Sequence, residues 1–220
     1  IKNLGTSTYT LESSENKAGT SNADLTLADL AQSMTGFTYS EGFAGVAATG
    51  ATKPTSGSVT TTTILPDGDR VINLYYNRDT YNVALTAGKG TSNLVGGGTY
   101  EYGASVTLGA TVGVGYDWSK WTRTSDGSDV SNVNAYQFTM GTNNVAYTSN
   151  ATTIDYTITY ELDGGTNYAS APTTYTVETN TITLGNPTKP GYTFEGWYDN
   201  SAFTGSRITQ IANGLTGNKV

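Results

Sequence analysis

The sequence contains no cysteine and no histidine. Without cysteine there is no disulfide and no thiolate nucleophile, and without histidine there is no Ser-His-Asp triad and no ordinary zinc site. Only 13% of the 220 residues are charged. There is also no run of about 18 apolar residues, the length that a membrane-spanning helix needs. These absences exclude several large classes of enzyme and predict no transmembrane helix.

Acidic residues outnumber basic ones, which gives a net charge of −7 and a pI near 4.4. An acidic chain without a basic patch is a poor partner for nucleic acid or for an anionic membrane, so we expect contact with neither. Small secreted eukaryotic domains usually carry disulfides, whereas a cysteine-free chain rich in Thr, Asn and Gly is typical of a bacterial extracellular protein. The chain opens at Ile1 on a polar segment, so we expect a mature fragment or an excised piece of something longer.

What the sequence does contain is aromatic residues and threonine. Sixteen Tyr, five Phe and three Trp supply the bulk that Leu and Ile usually provide. Threonine and tyrosine favour strands, so the composition predicts a mainly β protein. The densest stretch, KPGYTFEGWYDN at 189–200, has four aromatics within seven residues. These rings either fill a core or face a ligand.

The dense stretch belongs to a pattern that occurs three times. A glycine followed by aromatic, any residue and aromatic is found at Gly36–Tyr39, Gly115–Trp118 and Gly191–Phe194. The three glycines are 79 and 76 residues apart. Each copy follows an apolar-Thr-Leu segment, at Leu25–Leu27, Val106–Leu108 and Ile182–Leu184. The repetition predicts three small domains over 1–79, 80–151 and 152–220, called here the first, middle and third repeats.

The beginnings and ends of the repeats match as well. The opening tyrosines are Tyr9, Tyr81 and Tyr156, and the closing segments are Val71–Tyr76 and Asn144–Tyr147. The third repeat ends at 217–220 without such a segment, so we expect either that it closes differently or that the chain stops one strand short. The short linkers at 78–80 and 148–155 predict a rod with limited bending.

Local signals add detail to the first and third repeats. Thr26 is a candidate N-cap, and the apolar residues after it recur at helical spacing, which predicts a short helix over 27–34. Lys189–Tyr192 has Pro at the second position and Gly at the third, which predicts a type II turn.

The spacing of the aromatics bears on whether they form a core. Phe194 and Trp197 are three residues apart, as are Trp118 and Trp121, and a plain strand would place such residues on opposite faces. A bulge would bring both to one face, and Gly196 suits it. The first repeat lacks this spacing. We interpret the rings as three small cores, which need bulky side chains when disulfides are absent. A solvent-facing platform for sugars remains the alternative.

The third repeat resembles a known family. The motifs that carry the resemblance are Tyr156–Gly165, Ile182–Leu184, Pro187–Tyr198 and Phe203–Gly205. Over 152–220 the sequence is similar to the Listeria–Bacteroides repeat, also called the internalin B-repeat, whose usual last strand of the type Leu-Tyr-Ala-Lys-Trp is absent. The middle repeat resembles the divergent form of that family through Gly96–Gly103, Val106–Leu108, Gly115–Trp118 and Phe138–Met140. The first repeat is similar to repeats of the mucin-binding-protein type through Gly36–Tyr39 and Val71–Arg78.

The resemblance implies a mainly β fold of three tandem small β-grasp-like domains in an elongated arrangement, with a short helix in the first. It also implies an extracellular location on a bacterial surface protein that is attached to the cell wall in its full length. The family supplies no catalytic residue, no cofactor, no metal and no agreed set of ligand-binding residues.

Acidic residues are the remaining candidates for chemistry. Asp67–Asp69 and Asp126–Asp129 each offer two carboxylates to calcium, but neither follows the EF-hand spacing, so we interpret both as turn acids. A glycoside hydrolase needs two positioned carboxylates, and none of the 18 acids lies in a recognisable motif. A Lys–Asn isopeptide bond would need a buried lysine, whereas the lysines lie mostly beside turns. We therefore expect no catalytic, cofactor or metal site and no enzyme activity.

The leading hypothesis is a non-catalytic stalk or adhesin repeat region of a bacterial cell-surface protein, monomeric in isolation. The alternative is a glycan- or mucin-binding module, which predicts that some of seven aromatics are exposed and adjacent. These are Tyr39, Phe43, Tyr100, Tyr102, Trp121, Tyr198 and Phe203. The expected partner is a host glycan, a mucin or another surface protein, and the acidic charge argues against a heparin-type polyanion.

Overall fold

The computed structural model describes residues 1–45, 52–68 and 70–220. These residues are mainly β, with one 3-10 helix at Leu27–Leu30. The strands are β1 (Asp24–Thr26), β2 (Phe37–Gly45), β3 (Thr61–Thr63), β4 (Val71–Arg78), β5 (Thr80–Ala87), β6 (Thr91–Val95), β7 (Gly98–Glu101), β8 (Ser105–Thr107), β9 (Gly109–Val112), β10 (Tyr116–Arg123), β11 (Asp129–Ser131), β12 (Gln137–Thr139), β13 (Val145–Thr153), β14 (Tyr156–Thr157), β15 (Thr174–Tyr175), β16 (Ile182–Thr183) and β17 (Gln210–Ile211). Among the residues described, no helix has the length and apolar character that crossing a bilayer requires.

The chain divides into two compact units. The first comprises Ile1–Leu85, Val95–Gly109 and Ala135–Tyr147, and the second comprises Thr86–Leu94, Ala110–Asn134 and Thr148–Val220. The division passes through the middle repeat, which contributes residues to both units. The sequence-based division into three domains stays a prediction, as does the β-grasp topology.

In the first unit, β2 and β4 form a long antiparallel pair over Phe37–Gly45 and Val71–Arg78. Three rings from this pair are buried, those of Phe43, Tyr75 and Tyr76, and Phe43 and Tyr75 pack edge to face with centroids 5.4 Å apart. Leu27 of the helix is fully buried. The interior of the first repeat is therefore built from aromatic rings and a leucine, as its composition predicts.

The helix of the first repeat is shorter than the sequence predicts. The pattern predicts a helix over 27–34, whereas the structure has a single 3-10 turn in which Ala31 N–H donates to the Ala28 carbonyl at 3.1 Å. Thr26 is extended and its side chain makes no capping hydrogen bond. The helix therefore lacks the N-terminal bond that would offset the cost of nucleating a longer one.

The middle repeat contributes a five-stranded sheet in the order β11-β10-β13-β5-β7. β5 and β7 are antiparallel, with Tyr81 opposite Tyr100. β8 and β12 form a separate antiparallel pair, with Val106 opposite Phe138. Val106 is 1% exposed and Leu108 is 0% exposed. The apolar-Thr-Leu segment that recurs in the sequence thus supplies interior side chains here.

In the second unit, the third repeat is built on strands of two residues each, in the antiparallel pairs β14–β15 and β16–β17. Its buried residues are Ile158, Tyr175 and Ile211, and the side chains packed against them are Tyr156, Tyr160, Ile182 and Leu184. Along 156–160 the more buried side chains alternate with exposed ones, as in a strand, although β14 itself has only two residues.

The type II turn predicted at Lys189–Tyr192 is confirmed. Tyr192 N–H donates to the Lys189 carbonyl at 3.1 Å, which closes the turn. Gly191 has a φ of +80°, the left-handed value that the third position of this turn requires. The turn holds Tyr192 at the surface.

The connections between repeats are shorter than the sequence predicts. Asp79 alone separates β4 from β5, and β13 continues through most of the predicted linker 148–155, so only 154–155 precede β14. The apolar pattern of the sequence does not predict this part of β13, because one of its inward-facing residues is polar. Ser149 is fully buried, and its hydroxyl oxygen lies 2.7 Å from that of Thr91.

Candidate functional site

The aromatic rings with most exposure among the described residues belong to the third repeat. Tyr192 is 72% exposed and Phe203 is 73% exposed. Single exposed apolar residues are common on protein surfaces, so exposure alone does not define a site. The backbone and the neighbours that hold each ring outward are more informative.

A clamped turn presents Phe203 to solvent. The side-chain carbonyl of Asn200 accepts a hydrogen bond from the Thr204 amide at 3.1 Å, and the Asn200 side-chain amide donates to the Thr204 carbonyl at 2.9 Å. Phe203 has a φ of +53°, in the left-handed region that bulky residues rarely adopt. Backbone strain of this kind costs on the order of 1–3 kcal/mol and persists where surrounding bonds enforce it. The turn therefore holds the ring outward against a local preference.

A chain of contacts leads from this ring through Tyr198 to two charged side chains. Tyr198 lies edge to face with Phe203, with centroids 6.0 Å apart. Arg207 Nε is 3.4 Å from the Tyr198 hydroxyl oxygen, and Arg207 Nη2 is 2.9 Å from Glu195 Oε2. The contact with Tyr198, followed by the charge of Glu195, raises the pKa of Arg207. These four residues, Glu195, Tyr198, Phe203 and Arg207, are called the aromatic patch.

The aromatic patch has the two kinds of group that contact a sugar, an apolar ring face and hydrogen-bonding side chains. A ring supplies an apolar surface, while a hydroxyl, a guanidinium and a carboxylate supply hydrogen-bond donors and acceptors beside it. Gly196 lets Arg207 pack closely against the backbone: its φ is +150°, and a Cβ at that position would lie 2.6 Å from Arg207 Cδ. The same glycine lies between Phe194 and Trp197, whose rings meet with centroids 5.2 Å apart. The two rings meet, as predicted, but this stretch is not part of a strand, so they do so without the predicted β-bulge.

Of the seven aromatics singled out by the sequence, the structure brings Tyr198 and Phe203 together. Trp121 and Phe43 lie in the interior, 0% and 8% exposed, and neither presents a face to a ligand. The other three are half-buried: Tyr39, Tyr100 and Tyr102. The seven therefore do not form one surface.

The three half-buried tyrosines have local partners. Tyr39 packs edge to face against a ring of β4, with centroids 6.0 Å apart. The Tyr100 hydroxyl donates to the Gly96 carbonyl at 3.2 Å. Tyr102 packs edge to face against Phe37, with centroids 5.9 Å apart. Each of these contacts has a structural role in its own repeat or at a junction between repeats.

Tyr192 is exposed although it belongs to the dense aromatic stretch that the sequence led us to interpret as a core. Tyr192 directly follows the repeated glycine, as Phe37 and Tyr116 do, but those two rings are half-buried, so the pattern alone does not predict its exposure. Lys189 Nζ lies 4.5 Å from its ring centroid, which is cation–π distance.

The acidic turn at Asp126–Asp129 has protein partners for both carboxylates. Asp126 Oδ1 accepts hydrogen bonds from the Ser128 hydroxyl at 2.7 Å and the Ser128 amide at 2.9 Å, which lower the pKa of Asp126. Asp129 pairs with Lys120 at 2.7 Å. Across residues 1–45, 52–68 and 70–220, no three acidic side chains cluster as metal ligands would. The other acidic candidate includes Asp69, which lies outside the described residues.

A shallow depression of about 330 Å³ lies on the middle repeat beside Lys120 and Asp129. Asp129 supplies its single carboxylate, and that carboxylate is paired with Lys120. Glycoside hydrolysis needs a second carboxylate roughly 5–9.5 Å away. The depression therefore does not have the arrangement that this reaction requires.

The middle and third repeats each match a known family of repeat domains. Residues 156–219 match the Listeria-Bacteroides repeat domain. Residues 81–154 match the divergent InlB B-repeat domain. No curated protein and no solved structure shows significant similarity to the chain.

Proposed function

We propose that the chain is a stalk of an extracellular bacterial surface protein, because residues 81–154 match the divergent InlB B-repeat and residues 156–219 match the Listeria-Bacteroides repeat. Repeats of this type are typical of bacterial surface proteins, and their families are generally non-catalytic. In the proposed role the repeats hold a distal module away from the cell wall and make no chemical change to a substrate.

The observation that best supports the proposal is the shortness of the linkers between repeats. One residue, Asp79, separates β4 from β5, and two residues, Ile154 and Asp155, separate β13 from β14. A flexible linker spans about 5–6 Å times the square root of its residue number, so one or two residues leave little freedom between neighbouring repeats. A spacer needs this property, whereas a pair of independent binding modules does not.

Small-angle X-ray scattering of the 220-residue chain tests the proposal. A compact particle of this length has a radius of gyration of about 17 Å. We expect a clearly larger radius and a distance distribution with an extended tail. A matched variant with six Gly/Ser residues inserted after Asp155 should broaden that tail, because it introduces a flexible joint. A radius near the compact value would refute the stalk.

The aromatic patch supports a second candidate function, the binding of a host glycan or mucin. The supporting observation is the strained, exposed Phe203, which the Asn200 clamp holds beside Tyr198. Titration with mucin-type oligosaccharides, followed by NMR, should shift resonances of the patch in the wild-type chain and not in Phe203→Ala. Leu215→Ala removes another exposed apolar side chain and should bind as wild type. Equal shifts in both variants would rule out the patch.

A further inference from the structure

The repeated glycine of the first repeat is covered by a residue of the middle repeat. Gly36 is buried with a φ of +77°, and a Cβ at this position would lie 2.2 Å from ring carbons of Tyr102. The Gly36 carbonyl accepts a hydrogen bond from Asp79 N–H, in the linker, at 3.0 Å. The ring after the glycine, Phe37, contacts the same Tyr102. A glycine is required here because any side chain would displace the neighbouring repeat.

The repeated glycine of the middle repeat is covered in the same way by the third. Gly115 is buried with a φ of +85°, and a Cβ there would lie 2.7 Å from the Cβ of Val177. Its carbonyl accepts a hydrogen bond from Ile154 N–H, again in the linker, at 2.9 Å. The ring after the glycine, Tyr116, donates its hydroxyl hydrogen to Glu178 Oε1 at 2.6 Å. This bond raises the pKa of Tyr116.

The two covering residues occupy the same place in their repeats. In the middle repeat, Tyr100 pairs with the opening tyrosine, and Tyr102 is two residues further on. In the third repeat, Tyr175 pairs with the opening tyrosine, and Val177 is two residues further on. The two junctions thus share one geometry although an aromatic ring covers one glycine and an aliphatic side chain the other.

The repeated glycine of the third repeat is open. Gly191 has the same positive φ, +80°, but it is exposed, and no atom lies within 4 Å of a Cβ built on it. The ring after it, Tyr192, is 72% exposed, whereas the corresponding rings of the first two repeats are half-buried. The backbone is therefore set for the contact that the other two glycines make.

We propose that Gly191 and Tyr192 form the acceptor surface for a further repeat domain of the same kind, joined on the C-terminal side of the third repeat. A repeat, and not another ligand, is inferred because both equivalent surfaces hold one. The third repeat also has the hydrogen bond that precedes β13 in the middle repeat. Asn218 Oδ1 accepts Thr157 N–H at 3.0 Å, as Asn144 Oδ1 accepts Asn82 N–H at 2.7 Å just before β13. The inference concerns how repeats join and does not depend on the stalk role.

An added repeat tests the proposal directly. Residues 1–218 are followed by a second copy of 145–219, so that a copy of β13 and its linker connect the third repeat to the added one. The added copy carries Tyr192→Leu and Phe203→Leu, so that the original Tyr192 and Phe203 each occur once. Hydroxyl-radical footprinting then compares Tyr192 in the natural and lengthened chains. We expect several-fold less oxidation of Tyr192 in the lengthened chain. Phe203, with nearly the same exposure and no place in the junction, is the internal control and should be oxidised equally in both.

Equal oxidation of Tyr192 in the two chains, with the added repeat folded by hydrogen exchange, would overturn the proposal. If the added repeat does not fold, Val177→Asp in the 220-residue chain decides instead. This change puts a charge against Gly115 and should increase oxidation of Tyr116 several-fold, with Phe203 unchanged. Oxidation of Tyr116 at the wild-type level would show that the covered glycine does not hold the junction, and the proposal would fail.

Discussion

The middle and third repeats have the same aromatic spacing but different amounts of regular structure. β5, β10 and β13 of the middle repeat have 8, 8 and 9 residues, whereas each strand of the third repeat has two. The rings three residues apart meet in both, with centroids 5.4 Å apart for Trp118–Trp121 and 5.2 Å apart for Phe194–Trp197. Burial differs: Trp121 is 0% exposed and Trp197 is half-buried. Equal spacing thus brings the rings together in both repeats, whereas the depth of burial of the second ring differs between them.

Hydrogen bonding does not account for this difference. The Trp121 indole N–H donates to the Asn134 carbonyl at 2.8 Å, and the Trp197 indole N–H donates to the Gly185 carbonyl at the same distance. Both indoles are satisfied, so the two sites differ in the apolar area removed from water. Free energy of burial scales with that area, at about 25 cal/mol per Å².

The largest expected effect is that of Trp121→Ala. Removing a fully buried Trp costs about 3–5 kcal/mol, a large part of the stability of a small domain. Trp197→Ala should cost clearly less, because its ring is only half-buried. Urea unfolding followed by far-UV circular dichroism measures both free energies.

Trp118→Ala is the matched control within the same strand, since Trp118 is half-buried and its indole N–H also donates to a backbone carbonyl, that of Asn132, at 2.9 Å. We expect it to resemble Trp197→Ala. If Trp118→Ala and Trp121→Ala destabilise equally, depth of burial is not what distinguishes the two repeats.

The next effect is pH-dependent and belongs to the middle repeat. Glu101 accepts the Gly5 amide at 2.8 Å and pairs with Lys2, and these contacts lower the pKa of Glu101. Because the pKa of Glu101 is lower in the folded chain than in the unfolded chain, where it is about 4.3, ionised Glu101 stabilises the fold at pH values above about 4.3. This stabilisation is lost as the pH falls through the folded-state pKa. Glu101→Gln should therefore cost about 1 kcal/mol at pH 7 and almost nothing near pH 3.

Glu161→Gln changes an exposed carboxylate of the third repeat and serves as the control, with the wild-type pH dependence expected. Unfolding free energies between pH 3 and pH 7 compare the three chains. A Glu101→Gln curve parallel to the wild-type curve would show that the Gly5 and Lys2 contacts do not matter for stability.

The sequence predicts where the middle and third repeats open better than it predicts the length of their strands. Tyr81 and Tyr156 open their repeats as expected, and each lies opposite a tyrosine, Tyr100 and Tyr175. β13 extends further than expected because the buried Ser149 interrupts the apolar alternation. The β-propensity and apolar pattern of a segment describe its local preference, whereas the length of a strand also depends on the strands it pairs with, which lie far along the chain.

The exposure of individual rings does not follow from the sequence. Phe203 is identified by the sequence, but the clamp that exposes it depends on hydrogen bonds from Asn200, which no spacing rule reveals. Trp121 belongs to the same list of aromatics and is buried. Gly191 and Tyr192 become informative only when Gly36 and Gly115 are seen to be covered, because one sequence pattern occurs in two environments.

A smaller effect tests whether the two repeats close in the same way. Asn144 accepts the Asn82 amide and Asn218 accepts the Thr157 amide. Asn144→Ala and Asn218→Ala should each cost about 0.5 kcal/mol, the low end for a hydrogen bond, because both bonds are exposed. Amide hydrogen exchange should speed up at Asn82 in the first variant and at Thr157 in the second. An effect in only one repeat would show that the two asparagines are not equivalent.

The smallest effect is expected for Asp163→Asn in the third repeat. Lys189 Nζ is 2.8 Å from Asp163 Oδ2, and this contact lowers the pKa of Asp163, but the Asp163 side chain is 99% exposed. Water and salt screen such a pair, and Lys189 keeps a second bond, to the Asp163 backbone carbonyl at 2.6 Å. The urea midpoint should equal that of the wild type at low and at high salt, unlike the midpoint of Glu101→Gln at neutral pH. A salt-dependent loss in Asp163→Asn would mean that the short strands of the third repeat depend on surface charge pairs more than the middle repeat does.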